Sequence, residues 1–567
     1  MNDVSIVLCG EAGQGIQTVE QLFTKIVKKA GFNVFSTKEY MSRVRGGSNS
    51  TQLRISSEPV TAYINRIDIL ITLSDDAIEH LGNRVSNKTI IIGEKKHIKN
   101  NKNFKVIEIP FSQHAKEIGN TVFSNTIAVG LLSALCNIDK KVITEQVENF
   151  FSKKKKNLVK NNILAAKKGY DIGSDLVKKE KVQLNISIPK QQNTDIVLNG
   201  TQAIGLGALA GGCNFISSYP MSPSTGVLTF LSQQSNDFDI IVEQAEDEIS
   251  AINMALGAWY AGARAMVTTS GGGYALMTEG VSLAGMIESP IVIHLAQRPG
   301  PATGLPTRTE QSDLEHALYS SHGEFPKIIF APGTLQEGFY LTQKAFNLAD
   351  KYQVPVYILT DQYFVDSYYN IPSIKLDRIS NMNYFVKTKK NYKRYELTNN
   401  GISPRGIPGY GNGLICVDSD EHDEEGRITE SKNIRTQMVD KRLRKLKEIM
   451  KETLPPTLIG DEHFKTLIIG WGSTYHIIKE ALEKINRKDI SFLHFKQLYP
   501  MHPNTINFLK KAEKTIIVEN NATSQFGKLI KLHTGYEINH KILQYNGLPF
   551  SVETVEKQIK QILQRGQ

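Results

Sequence analysis

Short apolar runs, each closed by glycine or polar positions and followed by a stretch of helical period, recur along most of this chain. Residues 4–9 are the first such run. They lead into the tight turn Gly10-Glu11-Ala12-Gly13-Gln14-Gly15, and residues 16–30 then place apolar side chains at helical spacing. Further strands are predicted at 34–36, 69–73, 89–92 and 104–109, and residues 125–136 read as a helix rich in small side chains. A second set of apolar strands is predicted at 215–218, 240–242, 265–268, 291–294 and 356–359, ending in polar or glycine residues before a helix. A third lies at 467–469, 490–494 and 515–518. Strand, turn and helix in that order predict an α/β chain of doubly wound, parallel-sheet domains, three in number. In such sheets ligands gather beyond the carboxyl ends of the strands.

The stretches between these sets suggest the boundaries. Residues 176–194 are polar and lysine-rich with little periodicity, which reads as a linker. Residues 396–460 form a charged connecting segment. It contains the acidic loop Asp418-Ser419-Asp420-Glu421-His422-Asp423-Glu424-Glu425 and a helix at 433–452 dense in Lys and Arg. The expected domains are thus 1–175, 195–395 and 461–567. A chain of 567 residues is long enough for about three or four.

Composition narrows the class. An apolar fraction of 40% and a charged fraction of 22% are those of a soluble globular protein. No run of apolar residues is long enough for a membrane span, and the N-terminus has no basic leader, so a cytoplasmic location is expected. The net charge of +10 comes from short basic patches at 153–156, 178–181, 387–394 and 441–451. The first two carry no interleaved aromatic residues, so these patches read as solvated faces and no nucleic-acid partner is expected. Cys9, Cys136, Cys213 and Cys416 stand far apart with no Cys-x-x-Cys pair, which predicts buried reduced thiols. If the chemistry is redox, its electron carrier sits on another polypeptide.

Chemistry concentrates in the middle segment. In Ser218-Tyr219-Pro220-Met221-Ser222-Pro223-Ser224-Thr225 two prolines bracket a hydroxyl, which predicts a stiff, extended backbone. Glu243-Gln244-Ala245-Glu246-Asp247-Glu248 then opens a helix whose core side is expected to carry Ile249, Ile252, Leu256 and Trp259. The helix dipole alone accounts for Glu243, Glu246 and Asp247. Ser270-Gly271-Gly272-Gly273-Tyr274 follows a strand, and its glycines let backbone approach a planar ring or a phosphate, or simply turn a strand into a helix. Arg298, in Gln297-Arg298-Pro299-Gly300-Pro301, is either a surface arginine or a fork for a carboxylate. The N-terminal Gly10-x-x-Gly13-x-Gly15 is not a dinucleotide fingerprint. The histidines lack metal-ligand spacing, His422 reads as a solvated loop residue, no metal ligand is assigned, and Gly-x-Ser-x-Gly does not occur.

Residues 219–225 and the acid-rich helix start resemble the Tyr-Pro-Ile-Thr-Pro motif and the following cofactor glutamate of the 2-oxoacid:ferredoxin oxidoreductases. That family uses thiamine diphosphate. Met221 and Ser222 stand where it usually has Ile and Thr. The resemblance implies that Glu248, with Glu246 second, hydrogen-bonds a pyrimidine nitrogen of the cofactor and shares a proton with it, which favours a desolvated carboxyl of raised pKa. Pro220, Ser270, Gly271 and Gly272 are the further cofactor contacts it implies. Arg298, catalytic and substrate-binding, would read the oxoacid end with Tyr219 and Ser222. The stretch Thr303-Gly304-Leu305-Pro306-Thr307-Arg308 is similar to the 2-oxoglutarate type, with Arg308 a candidate for a distal carboxylate.

Toward the N-terminus, Gly13 and Gly15 with Glu39-Tyr40 and Arg43-Val44-Arg45-Gly46-Gly47-Ser48 resemble the family's gamma subunit. Arg43, beside Arg45, is a candidate for the coenzyme A diphosphate; a fold-stabilising turn with surface arginines is equally open. Gln497-Leu498-Tyr499-Pro500 and Val518-Glu519-Asn520-Asn521 resemble the alpha subunit's transketolase C-terminal-type domain. Residues 1–175 thus correspond to the gamma-type domain, 195–395 to the pyrimidine-binding domain and 461–567 to the transketolase-type domain. No Gly-Asp-Gly followed by Asn is present, so magnesium and iron–sulfur clusters are expected on a separate beta subunit that shares the thiamine diphosphate. The implied activity is coenzyme A-linked oxidative decarboxylation of 2-oxoglutarate by a hetero-oligomer, with electrons passed to ferredoxin. Pyruvate or a branched-chain 2-oxoacid as substrate, and a non-catalytic scaffold of the same fold, remain the alternatives.

Overall fold

A computed structural model describes residues 3–11, 15–42, 47–98, 104–182, 184, 186–187, 189 and 193–564. The chain forms two compact units, Met1–Leu198 with Asp366–Ser373, and Asn199–Val365 with Ile374–Gln567. No described helix is long and apolar enough to cross a membrane. The fold is α/β throughout and rich in parallel pairing.

In the first unit the run at 4–9 becomes the strand Asp3–Glu11, buried along all but its two ends. It pairs in parallel with Ile69–Thr72, which continues in parallel through Ile90–Gly93 to Lys105–Glu108. On its other side the sheet turns antiparallel, through Ser48–Ser56 to Asn33–Glu39 and on to Tyr368–Ile371. The strand Ser48–Ser56 departs from the sequence expectation. Its polar residues hid it, yet Gln52 and Arg54 are buried. Gln52 donates to Ser5 Oγ and the Ile64 carbonyl, and Arg54 to Asp3 and the Ala62 carbonyl. Satisfied polar groups of this kind can be buried without large cost. The helices Ile16–Lys29, Ser124–Leu135 and Lys156–Lys178 supply the apolar layer. The last helix runs into the stretch read as linker, and Val182 joins the same core.

The second unit holds two sheets. One runs in the order Gln497–Tyr499, Ile328–Phe330, Pro355–Asp361, Ile291–Gln297, Ala265–Thr269, Phe215–Ser218, Ile241–Gln244, and only the Gln497–Tyr499 pairing is antiparallel. The other runs Thr457–Ile459, Ile490–Phe495, Thr466–Trp471, Lys514–Glu519, His540–Leu543, antiparallel only at Thr457–Ile459. Central strands such as Ile291–Gln297 and Pro355–Asp361 are buried on both faces, which is why they read as continuous apolar runs.

The charged connecting segment corrects two expectations. His422 is fully buried rather than solvated: its ring stacks on Tyr395 at 3.8 Å between centroids, and its Nδ1 lies 3.0 Å from the Asp420 carbonyl. The basic Lys432–Lys451 helix is likewise more than a solvated face. Its Lys441 and Lys445 ammonium groups, both buried, each lie 2.6 Å from the buried Glu288 carboxylate. Cys9, Cys136 and Cys213 are free and buried, and burial pushes each thiol up to about 12.

Candidate active site

The carboxyl ends of Phe215–Ser218, Ala265–Thr269 and Ile291–Gln297 converge on one floor. Ser218 locks two of them together: its hydroxyl donates to the Thr268 carbonyl at 2.9 Å and accepts from the Thr268 N–H at 2.8 Å. His294 ties the next pair, its ring lying between the Thr268 and Thr360 hydroxyls at 2.7 and 2.9 Å. Burial pushes that imidazole down to about 3, so it stays neutral and rigid.

The strand ends at Ser218, residues 219–221 are irregular, and residues 222–224 turn into the helix Thr225–Gln233, so the stretch expected to be extended is a turn at Ser222. Tyr219 is 41% exposed, and Pro220 and Ser222 are half-buried. Arg298, one residue past its strand, donates from Nη1 to the Ser222 carbonyl at 2.7 Å. Arg298 and Ser222 are therefore neighbours, joined through the Ser222 backbone rather than its hydroxyl. The Arg298 Nε is buried without a partner.

The acid-rich stretch resolves sharply. Glu243 and Glu246 are exposed, and Asp247 caps the helix Glu248–Tyr260 by accepting from the Ser250 N–H at 2.7 Å. Glu248 is 3% exposed, and its Oε1 has no hydrogen-bond partner. The expected core stripe is corrected at one position: Ile249 is 47% exposed, and the buried residues are Glu248, Ala251, Ile252, Ala255, Leu256 and Trp259. Glu248 thus takes the stripe position one turn before Ile252, where an apolar residue would normally sit. Burial holds its carboxyl above the ordinary value; the neighbouring Asp247 adds to this, while its backbone hydrogen bond and Arg298 oppose it.

The glycine run has a steric reason. A Cβ on Gly273 would fall 2.3 Å from Glu248 Oε1 and 2.4 Å from Thr269 Oγ1, and one on Gly271 would fall 2.6 Å from both Asp313 carboxyl oxygens. Gly272 is exposed, and a Cβ there would meet only the Ala302 carbonyl at 3.6 Å, so no protein contact demands glycine at that position. Ser270, at the N-cap of the helix Gly271–Met286, has a buried Oγ without a partner. Glu248, Ser270, the two crowded glycines and Arg298 therefore share one floor, with three buried polar atoms unmatched by protein.

Sequence reasoning missed Asp313 and the frame that holds it. Gln297 accepts from the Asp313 N–H at 3.0 Å and donates to the Thr360 carbonyl at 2.9 Å. Gln311 exchanges hydrogen bonds with Asn520 and donates to the Trp471 carbonyl. The Val518-Glu519-Asn520-Asn521 motif earns its place here. Buried Glu519 accepts from Asn521, Ser524 and the Phe526 and Gly527 N–H groups, and so fixes the loop that clamps Gln311. An acid just before Leu314 reads as an ordinary helix cap, which is what disguised Asp313.

In the first unit Gly15 caps the helix Ile16–Lys29 in a left-handed conformation, φ 80°. It borders a cavity of about 250 Å³ with Lys38, Tyr40, Ser50 and Thr51. Gly13, Arg43, Arg45 and Gly46 lie outside the described residues. A larger cavity in the second unit, about 580 Å³ and lined by Ile249, Asn253, Glu279, Phe325 and Arg442 among others, has none of Glu248, Ser270, Arg298 and Asp313 in its lining.

Comparison with known proteins places the chain. The family model described as pyruvate flavodoxin/ferredoxin oxidoreductase, thiamine diP-bdg, matches residues 206–441, and that of pyruvate ferredoxin/flavodoxin oxidoreductase matches residues 5–172. The 2-oxoacid:ferredoxin oxidoreductase subunit alpha of Sulfolobus sp is 32% identical over 631 aligned positions, covering 100% of this chain and 98% of that one. The chain belongs to the 2-oxoacid:ferredoxin oxidoreductase alpha subunits. As such it is a subunit of a multi-subunit oxidoreductase. The 2-oxoglutarate synthase subunit KorA of Archaeoglobus fulgidus is 30% identical over 59% of this alpha subunit and 89% of its own length. The solved 2-oxoglutarate:ferredoxin oxidoreductase of Magnetococcus marinus, with 2-oxoglutarate, coenzyme A and succinyl-CoA bound, superposes with a TM-score of 0.91 at 31% identity over 99% of both chains.

Proposed function

We propose that this alpha subunit, with a separate beta subunit, carries out coenzyme A-linked oxidative decarboxylation of 2-oxoglutarate and passes the electrons to ferredoxin. The observation that carries the reading is Glu248: a buried carboxyl of raised pKa on the apolar stripe of its helix, with Oε1 unmatched, beside Arg298. Its fit to thiamine diphosphate is direct. An unpartnered buried acid that holds its proton suits an aminopyrimidine nitrogen, and Gly273 keeps the approach to Oε1 free of a side chain. Ser270 Oγ, with Pro220 and the backbone at half-buried Gly271 and exposed Gly272, would hold the same ring. When bound, the cofactor supplies a nucleophilic carbon for the 2-oxo group and a sink for the electrons left as carbon dioxide departs.

The chain's own residues do the rest. Glu248 holds and shares the proton. Arg298, pinned through Nη1 to the Ser222 carbonyl, presents its remaining donors to the oxoacid carboxylate, with the Ser222 hydroxyl and the Tyr219 ring at the rim. The net change is balanced: the oxoacid anion and the coenzyme A thiol give the acyl thioester, carbon dioxide, one proton and two electrons. Clusters on the beta subunit would take the electrons onward, and that subunit would also supply the magnesium diphosphate site. Coenzyme A is assigned to the first unit near Gly15, with Gly13 and Arg43 as its further expected contacts. We read the second unit as a pyrimidine-binding part and a transketolase C-terminal-type part, and the location as cytoplasmic.

Two relatives whose names specify 2-oxoglutarate favour that acid, and Arg308 on the loop after Arg298 is the candidate for its distal carboxylate. The test is ferredoxin reduction by the assembled complex with 2-oxoglutarate, pyruvate and a branched-chain 2-oxoacid. A kcat/KM at least about tenfold higher for 2-oxoglutarate is expected. Equal values for the three acids would refute the assignment.

A further inference from the structure

Asp313 is a half-buried residue whose carboxyl the mechanism leaves without a task. It occupies the N-cap position of the Leu314–Tyr319 helix, yet its side chain makes no cap hydrogen bond there. Its Oδ2 is buried and unpartnered, and the carboxyl lies against the first glycine of the Gly271–Met286 helix. The backbone has little freedom to turn it away, since its N–H is held by Gln297 and the residue two before it is clamped by Trp471 and Asn520. The charged and titratable groups around it are Arg298 at the end of its strand, Glu310 on the same loop and His316 one turn on, hydrogen-bonded to the Gly271 backbone. Glu248 reaches the same guanidinium from its own helix. Two carboxyls therefore share the field of one arginine.

Resting on the reading of Arg298 as the group that receives the oxoacid carboxylate, we infer that Asp313 is a positioning residue that takes up one proton from solvent as an anionic 2-oxoacid docks on Arg298. No bond to the substrate is made or broken in this step; one proton passes onto the Asp313 carboxyl. The electrostatics give the sign. Burial first, then the charge of Glu310, push this carboxyl up to about 7, and Arg298 pulls it back. A substrate carboxylate on Arg298 weakens that pull and adds a like charge, so the proton is held more tightly in the complex. By linkage, substrate affinity is full below about 7 and falls as the pH rises through that value. With the proton on, the arginine's charge is left for the substrate.

The experiment uses the assembled complex. KM and kcat for the 2-oxoacid are measured from about pH 6 to about pH 9 in the wild type, Asp313→Asn and Arg298→Ala. Wild-type KM should climb toward about tenfold per pH unit at the alkaline end, and Asp313→Asn should keep a flat KM. The kcat profile, to which Glu248 belongs, should persist in the variant. Independently of any variant, calorimetry of N-oxalylglycine binding to the wild type in two buffers of different ionisation enthalpy should show proton uptake, up to about half a proton near pH 7 and approaching a full proton about one pH unit higher. An unchanged KM slope in Asp313→Asn, or no proton uptake by the wild type, overturns the inference. If Arg298→Ala leaves KM unmoved, the premise about Arg298 fails and takes the inference with it. If Arg298→Ala raises KM while Asp313→Asn keeps the slope, the inference about Asp313 fails alone.

Discussion

A carboxyl buried at 3% exposure with an unmatched oxygen is costly to keep, and such groups persist where a ligand completes them. Glu248 meets that description, and its surroundings are built around it. Gly273→Ala tests this without touching the acid. The new Cβ would fall 2.3 Å from Glu248 Oε1, so the carboxyl must shift. Turnover should fall by about tenfold or more while stability drops by only about 1–3 kcal/mol, read by acceptor reduction and thermal melting. Arg298→Ala should raise KM for the 2-oxoacid by roughly 10- to 100-fold, the worth of charge-assisted hydrogen bonds to a carboxylate. At this scale the sequence was legible where a residue type was unusual for its place. The Pro-bracketed Ser222, the last acid of a run and the triple glycine all stood out. Asp313 did not, because an acid before a helix is commonplace, and only the missing cap bond shows its carboxyl turned elsewhere. Ile249 was misplaced because the stripe position one turn before Ile252 is filled by the acid Glu248, leaving the apolar residue beside it exposed.

Among elements, the Lys432–Lys451 helix shows how a charged segment is made part of a core. Glu288 sits in a left-handed backbone conformation, φ 48°, with both oxygens occupied by Lys441 and Lys445. Burial favours its neutral form, but the two ammonium groups outweigh that and hold it well below the ordinary value of 4.5. A depressed carboxylate contributes stability in full above its unfolded value, and that contribution is lost as the pH falls from there through the lower folded-state value. Glu288→Ala, which strands two buried cations, should destabilise the chain by about 3–5 kcal/mol at neutral pH in denaturant melts. A loss below about 1 kcal/mol would show that water already reaches the cluster. Composition alone hides such burial, since Lys-rich helices are usually solvated. The same limit hid Ser48–Ser56, whose Gln52 and Arg54 are buried by partners far along the chain. The apolar central strands carried no such ambiguity, and their positions follow the sequence to within a few residues.

For the whole molecule, the order of elements was readable but the return of the chain was not. Asp366–Ser373 belongs with the first unit, where Tyr368–Ile371 pairs antiparallel with Asn33–Glu39. A four-residue strand has no local signal that names its sheet. The four isolated cysteines offer no local spacing for a cluster, in keeping with the proposal that the electron carrier sits on the beta subunit. The chain purified alone should therefore contain no iron and reduce no acceptor. Co-expression with its beta partner should yield a complex with both iron and turnover, and activity from the isolated chain would refute the division of labour. The central claim is narrower still, that the Glu248 carboxyl shares its proton with the cofactor. Turnover of the assembled Glu248→Gln complex, compared with wild type at equal cofactor occupancy and equal melting temperature, measures it most directly. The account predicts a kcat lower by about 10²-fold or more. An undiminished kcat in that folded, loaded complex would contradict it.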